Sequence, residues 1–267
     1  MKKPQILLTN DDGIRSPGLW AAAKALSEIG YVHVAAPRDQ YSGAGRSMPS
    51  HSDGLIQVEQ VQVNGKLWDV HAIGGTPAQV VLHAVLEILP EKPDLVVSGI
   101  NYGENVGTGV TVSGTVGAAM EAASMGIPSL ASSLETDVEH HLSYSTVIDF
   151  EVAAYFTAYF ARLLLEHGMP PDVDLLKIDV PSDATPHTPW EMARLSPNRY
   201  FYPLRPERES WDVPARVGYR VNAALESEPA GTDTYVLRLN RHVAVVPISL
   251  DMTSRVDFDE MKGFLTG

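Results

Sequence analysis

Gln5-Ile6-Leu7-Leu8-Thr9, followed by Asn10-Asp11-Asp12-Gly13-Ile14-Arg15-Ser16-Pro17, is the stretch from which the fold follows. The apolar run reads as a short buried strand. Ser16 is placed to cap a helix, and Pro17 to occupy its first turn, where a missing N–H is harmless. Leu19, Ala22, Ala23, Leu26 and Ile29 recur with helical period, and Gly30 is placed to stop the helix. Tyr31 to Ala36 is a second apolar run, closed by Pro37. Strand, helix and strand in that order make a βαβ unit, whose strands lie parallel.

The pattern recurs along the chain. Thr76-Pro77 caps a helix running to about Leu89, and Asp94 to Ser98 reads as a buried strand. A glycine-rich loop spans Gly99 to Gly114, before a small-residue helix over Thr115 to Met125 and a strand over Pro128 to Ser133. Gly54 to Ile73 is hairpin-like, with Asn64-Gly65 as its turn. Phe150 to His167 is a long amphipathic helix, and Leu175 to Val180 reads as the last strand of the main sheet. After Pro181, prolines, tryptophans and arginines accumulate. Thr234 to Asn240 and His242 to Ile248 alternate like strands, and a final helix covers Ser254 to Leu265. The fold class expected is α/β: a doubly wound, mostly parallel sheet over residues 1–181, then a β-rich extension and C-terminal helix over 182–267. That second region is the expected oligomerisation region.

Composition narrows the function classes. The chain has 267 residues, 44% of them hydrophobic, enough for a substantial core. No apolar run reaches the roughly 18 residues of a membrane span. With no cysteine, disulfides, thiolate metal sites and a cysteine nucleophile are excluded. A formal charge of −13 argues against non-specific binding to nucleic-acid polymers. The expected location is the cytoplasm.

Ligands of open parallel sheets bind beyond the carboxyl ends of the strands. Three polar, glycine-rich loops follow strands here: Asn10 to Gly13, Ser42 to Ser47, and Asn101 to Thr115. Taken singly, each has a plain reading: a turn, a loop, a helix cap. Their convergence on one sheet edge carries the functional reading. Adjacent carboxylates repel unless a cation or proton intervenes, and oxygen ligands without His or Cys suit Mg²⁺ or Mn²⁺. Asp11 and Asp12 are the candidate metal ligands and catalytic residues, with Ser42 and Asn101 adding neutral oxygens. Backbone amides at Ser113-Gly114-Thr115, where a helix begins, form a candidate phosphate cradle, and Gly43 supplies a further close donor. The chemistry expected is metal-assisted hydrolysis of a phosphate monoester. The histidine pair His140-His141 reads as solvated surface. The arginine-rich and aromatic stretch from Trp190 to Trp211 reads as an interface, with a substrate lid or an irregular arm as the alternatives.

The stretches Ile6 to Ile14, Ser16-Pro17-Gly18, Ser42-Gly43, Gly75-Thr76-Pro77, Ser98-Gly99-Ile100-Asn101-Tyr102-Gly103-Glu104-Asn105 and Ser113-Gly114-Thr115-Val116 resemble the SurE (survival protein E) family of metal-dependent 5′/3′-nucleotidases. The likeness is close over residues 4–134 and thinner around Ile178 to Pro181 and Val246 to Thr253. It implies a Rossmann-like core and one divalent metal per subunit, held by Asp11, Asp12, Ser42 and Asn101. It implies nucleoside monophosphates as substrates, with Asn10, Gly43, Asn101, Asn105 and the Ser113-Gly114-Thr115 step on the phosphate side. It also implies a homodimer or homotetramer with exchanged C-terminal segments. Lys177 and Asp179 depart from the asparagines common in the family. A signalling receiver also pairs acidic residues after its first strand. It needs a phosphoacceptor aspartate where this chain has Asn101. A non-hydrolytic nucleotide-binding fold leaves the carboxylate pair without a role.

Overall fold

The computed structural model describes residues 3–221 and 225–266; the extreme ends of both expected regions, and 222–224 in the second, lie outside these. In chain order the strands and helices are β1 (Gln5–Thr9), α1 (Pro17–Leu26), β2 (Tyr31–Pro37), β3 (Ile56–Val63), β4 (Lys66–Ile73), α2 (Pro77–His83), β5 (Leu95–Tyr102), α3 (Gly114–Ser124), β6 (Ser129–Leu134), α4 (Glu151–His167), β7 (Leu175–Val180), β8 (Trp190–Met192), β9 (Phe201–Leu204), β10 (Gly218–Val221), α5 (Asp233–Arg238), β11 (Val243–Ile248) and α6 (Phe258–Thr266).

Among the described residues, nine strands form one sheet in the order β3-β4-β2-β1-β5-β6-β7-β11-β8. The stretch from β4 to β7 is parallel throughout. Numbered along the chain, those six strands run 3-2-1-4-5-6, the order of a doubly wound dinucleotide-type fold. Side chains alternate across β1: Ile6 and Leu8 join the core under α1 and α4, while Leu7 joins the core under α2 and α3. Helices therefore cover both faces. The chain winds outward in opposite directions from β1 and β5, so the switch point, and the crevice that accompanies it, lies between their carboxyl ends.

The structure departs from the expectations in three places. β5 runs on to Tyr102, so Asn101 sits on a strand end and not inside a long loop. A register shift between Ser98 and Asn101 against β6 bends the strand there. The stretch read as strand over Thr234 to Asn240 is the helix α5. Thr232 caps it by accepting from Tyr235 N at 3.4 Å, and Asp233 stands in its first turn. Finally, β7 is not the last strand of the main sheet. β11 pairs antiparallel with it and β8 lies outside β11, so the chain after residue 181 extends the sheet. Among the described residues, β9 and β10 alone form a separate two-stranded unit.

Candidate functional site

Asp11 and Asp12 follow β1 at the switch point, and both are buried. The Thr115 hydroxyl donates to Asp11 Oδ1, and the amides of Gly114 and Thr115 at the start of α3 also support this carboxylate. Glycine at 114 makes that approach possible, because a Cβ there would lie 2.7 Å from Asp11 Cβ. Asp12 Oδ1 accepts from Gln40 Nε2 at 2.8 Å, and Oδ2 from Tyr102 N at 3.2 Å. Burial raises the Asp11 pKa against the pull of the Thr115 hydroxyl. Burial raises Asp12 well above the usual carboxylate range, and the Asp11 charge adds to this. Among the described residues no lysine, arginine or histidine forms an ion pair with either carboxylate. Two buried acids without a positive partner are an arrangement that a hard cation relieves.

Neutral oxygens stand nearby. Asn101 Nδ2 donates to Gly103 O at 2.7 Å and to Tyr102 O at 3.2 Å, which leaves its Oδ1 as an acceptor. A cavity of about 800 Å³ opens in front, with Asp11, Ser42, Gly43, Asn101, Asn105 and Ser113 on its wall. Asp11, Asp12, Ser42 and Asn101 thus offer only oxygen donors, which fit Mg²⁺ or Mn²⁺ and not a soft metal.

The remaining expected residues divide. Ser113 Oγ caps α3 by accepting from Val116 N at 3.1 Å, and its hydroxyl proton stays available to the cavity. Asn105 donates one amide hydrogen to Ser133 Oγ at 2.9 Å and keeps the other. Asn10, Gly114, Thr115 and Asp12 are not on the cavity wall. Asn10 closes its own turn, exchanging two 3.1 Å hydrogen bonds with Gly13. Thr115 and Gly114 serve Asp11, so part of the cradle expected for phosphate is engaged by a carboxylate.

The outer wall holds residues that the sequence reading passed over. His141 is buried, not solvated: its ring covers Gly103, where a Cβ would lie 2.4 Å from Nε2. Burial lowers its pKa. Gln40 Nε2 donates to His141 O at 2.9 Å as well as to Asp12, tying this segment to the acidic loop. Facing it are Phe201 and Tyr219, from β9 and β10. The stretch read as an interface thus contributes Tyr200 and Phe201 to the cavity wall, and the arm continues beyond it to Tyr219. No periodicity announces this, because a short hairpin and one histidine leave no repeat to detect.

Glu104, also on the wall, receives the Tyr200 hydroxyl and lies 3.5 Å from Arg238. Burial pushes its carboxyl up to about 7 from an ordinary 4.5. The native state therefore keeps this proton while the unfolded chain releases it, and stability falls as pH rises from 4.5 to 7. Glu104→Gln should remove that slope, a difference on the order of 3 kcal/mol between pH 4.5 and 7.5. Urea unfolding at both pH values measures it. Equal slopes in the two proteins would show that Glu104 ionises normally.

Fold and site together define a class: a doubly wound α/β protein with an acidic, all-oxygen centre at its switch point. The survival protein SurE family matches residues 6–201. The chain is 46% identical over 265 residues to a Thermococcus gammatolerans protein named 5′-nucleotidase SurE, covering 98% of this chain and 96% of that one. It is 43% identical to the Thermococcus kodakarensis protein of the same name, covering 98% of each. The crystal structure of the SurE protein from Aquifex aeolicus superposes with a TM-score of 0.75 at 30% identity, covering 99% of this chain and 100% of that one. This chain belongs to the SurE family.

Proposed function

We propose that this protein is a divalent-metal-dependent phosphatase that hydrolyses nucleoside 5′- and 3′-monophosphates to nucleoside and phosphate. The observation that carries the reading is the buried Asp11–Asp12 pair, without a cationic partner among the described residues, behind a roomy cavity at the switch point. Relatives named 5′-nucleotidase SurE over nearly the whole chain supply the substrate class. Asp11, Asp12, Ser42 and Asn101 would hold one Mg²⁺ or Mn²⁺ per subunit. Bound there, such an ion supplies Lewis-acid polarisation of a phosphoryl oxygen and a water more acidic than bulk.

The chain's own groups do the rest. The Ser113 hydroxyl, the spare Asn105 amide hydrogen and the Gly43 amide orient the phosphate. Water oxygen bonds to phosphorus, the ester P–O bond breaks, and the departing nucleoside oxygen takes up the proton that the attacking water gives up. Acceptor-only carboxylates at Asp11 and Asp12 favour a metal-assisted path over direct attack, since two negative charges repel a phosphate dianion. Phosphate release from a panel of mononucleotides, with Mn²⁺, Mg²⁺ or EDTA, tests this. Turnover that survives EDTA would remove the metal from the mechanism.

The protein is also read as a homodimer or homotetramer. α6 buries none of its residues, and Phe258, Phe264 and Leu265 are 70%, 80% and 70% exposed. An amphipathic helix with so bare an apolar face is a candidate for exchange with a second copy. Removing residues 252–267 should reduce the mass seen by light scattering to that of a single chain. An unchanged oligomer would place the contact elsewhere. No helix among the described residues is long and apolar enough to cross a membrane. A cytoplasmic location, with no binding to nucleic-acid polymers or membranes, is the reading that suits a nucleotide substrate and a charge of −13.

A further inference from the structure

Gln40 stands in the loop after β2, and its side-chain nitrogen makes two hydrogen bonds. One goes to Asp12 Oδ1 at 2.8 Å, the other to the His141 carbonyl at 2.9 Å. A carbonyl and an ionised carboxylate can only accept, so the amide nitrogen must face them and both its hydrogens are spent. Tyr102 N donates to the other oxygen, Asp12 Oδ2, at 3.2 Å. A donor on each oxygen fixes the plane of the carboxylate and leaves each oxygen a lone pair for a cation. The donor at 40 is also neutral. A lysine or arginine there would hold the carboxylate equally well but would offset its charge. An amide orients the group and leaves the charge for a dication.

The His141 end of this bridge leads to the opposite wall of the cavity. The Thr136 carbonyl lies 3.2 Å from His141 Nε2 and can only accept, so that nitrogen carries the proton. Nδ1 of the neutral ring then accepts from the Tyr219 hydroxyl at 3.0 Å, and the two rings stack at 6.1 Å between centres. β10, which carries Tyr219, pairs only with β9 among the described residues, so contacts of this kind hold the arm against the body of the protein. The same imidazole covers Gly103, whose carbonyl accepts from Asn101 Nδ2 at 2.7 Å. A path of hydrogen bonds therefore runs from Asp12 through Gln40 and His141 to Tyr219.

We infer that Gln40 is a positioning residue: it sets Asp12 for the cation and fastens the arm to the acidic centre, so that filling the metal site firms the arm. The inference rests on the metal reading of the Asp11–Asp12 pair. Binding at one end of such a path and order at the other are linked in both directions, so a change at Gln40 must appear in each. Groups that orient a metal-binding side chain without touching the ion typically govern its affinity by about 10–100-fold.

Two measurements on the full chain test this without turnover: calorimetric titration with MnCl₂, and hydrogen exchange read by mass spectrometry with and without Mn²⁺. In the wild type, Mn²⁺ should slow exchange in residues 136–145 and in β9 and β10. Gln40→Met keeps the length of the side chain and removes both donors. It should bind Mn²⁺ about 10–100-fold more weakly. Even at saturating Mn²⁺ it should lose most of the protection of the arm. The fold should survive, because the Tyr102 hydroxyl still donates to Ser145 O at 2.8 Å and Tyr102 N still holds Asp12. Tyr219→Phe cuts the path at its far end: Mn²⁺ should still protect residues 136–145 but no longer β10. Equal Mn²⁺ affinity in wild type and Gln40→Met would overturn the inference and leave the metal reading standing, whereas no Mn²⁺ binding by the wild type would overturn both. Exchange that rises in Gln40→Met equally with and without Mn²⁺, at unchanged affinity, would reduce Gln40 to a packing role and overturn the inference. Protection of β10 that persists in Tyr219→Phe would overturn the link through His141.

Discussion

Asp11→Asn is expected to lower phosphate release from a mononucleotide by about 10²–10³-fold, the size of effect seen when one electrostatic contact to a reacting centre is lost. The substitution is nearly isosteric. Its Oδ1 still accepts from the Thr115 hydroxyl, so α3 keeps its footing on the loop. What changes is charge. In the wild type both carboxylates are held against burial, and Asp12 also against its neighbour. Removing one charge relieves that repulsion and, at the same time, removes half the formal charge available to a dication. Two readouts should therefore move in opposite directions. In EDTA the variant should unfold at the same or a higher temperature than wild type. With Mn²⁺ the wild type should gain stability by mass action, and the variant should gain little. A general loss of structure would lower stability in both conditions, which distinguishes damage from loss of a ligand. Full activity in Asp11→Asn, or an equal metal-dependent gain in both proteins, would refute the assignment.

The centre and its supports differ in how far a sequence can disclose them. β1, α1 and β2 were readable because one periodicity gives way to the other, with Ser16-Pro17 marking the join. Asp11 and Asp12 were readable as a candidate because charge repulsion at a strand end has few structural uses. Asn101 and Ser42 needed the topology, since their place near Asp11 depends on β5 and β2 being the strands on either side of β1. α5 was misread because Thr234 to Leu239 is rich in β-branched and aromatic residues and too short a span to separate the two periods. Its helical state comes from the Thr232 cap and from burial of Val236 and Leu237 against β11. β11 itself read correctly as a strand, but nothing local tells a strand which sheet it will join. His141, Gln40 and the arm's aromatic residues meet only through long-range closure, and their contacts leave no mark on neighbouring residues in the chain.

Lys177→Met is expected to destabilise the protein by about 3–5 kcal/mol, the cost of leaving buried charge without its partner. Lys177, Asp179 and Asp233 are fully buried together, with Lys177 Nζ on Asp179 and 3.2 Å from Asp233. Burial works against the lysine's charge, but the two carboxylates more than reverse this and raise its pKa. The group carries one more negative charge than positive. Backbone amides make up the difference: Asn105 N donates to Asp179 at 2.7 Å, and Gly107 N and Ser196 N donate to Asp233, each at 2.9 Å. The triad therefore holds the Asn105 loop and the root of the arm at one point, with both cavity walls depending on it. In Lys177→Met two carboxylates lose their cation, and urea unfolding should show the full loss. Asp233→Asn leaves a balanced Lys177–Asp179 pair and a side-chain oxygen for Gly107 but takes the acceptor from Ser196 N, so its loss should be smaller, about 1–3 kcal/mol. If the order of the two variants is reversed, the triad is not held by charge balance, and the two walls are positioned by packing around Tyr200 and Val106 instead.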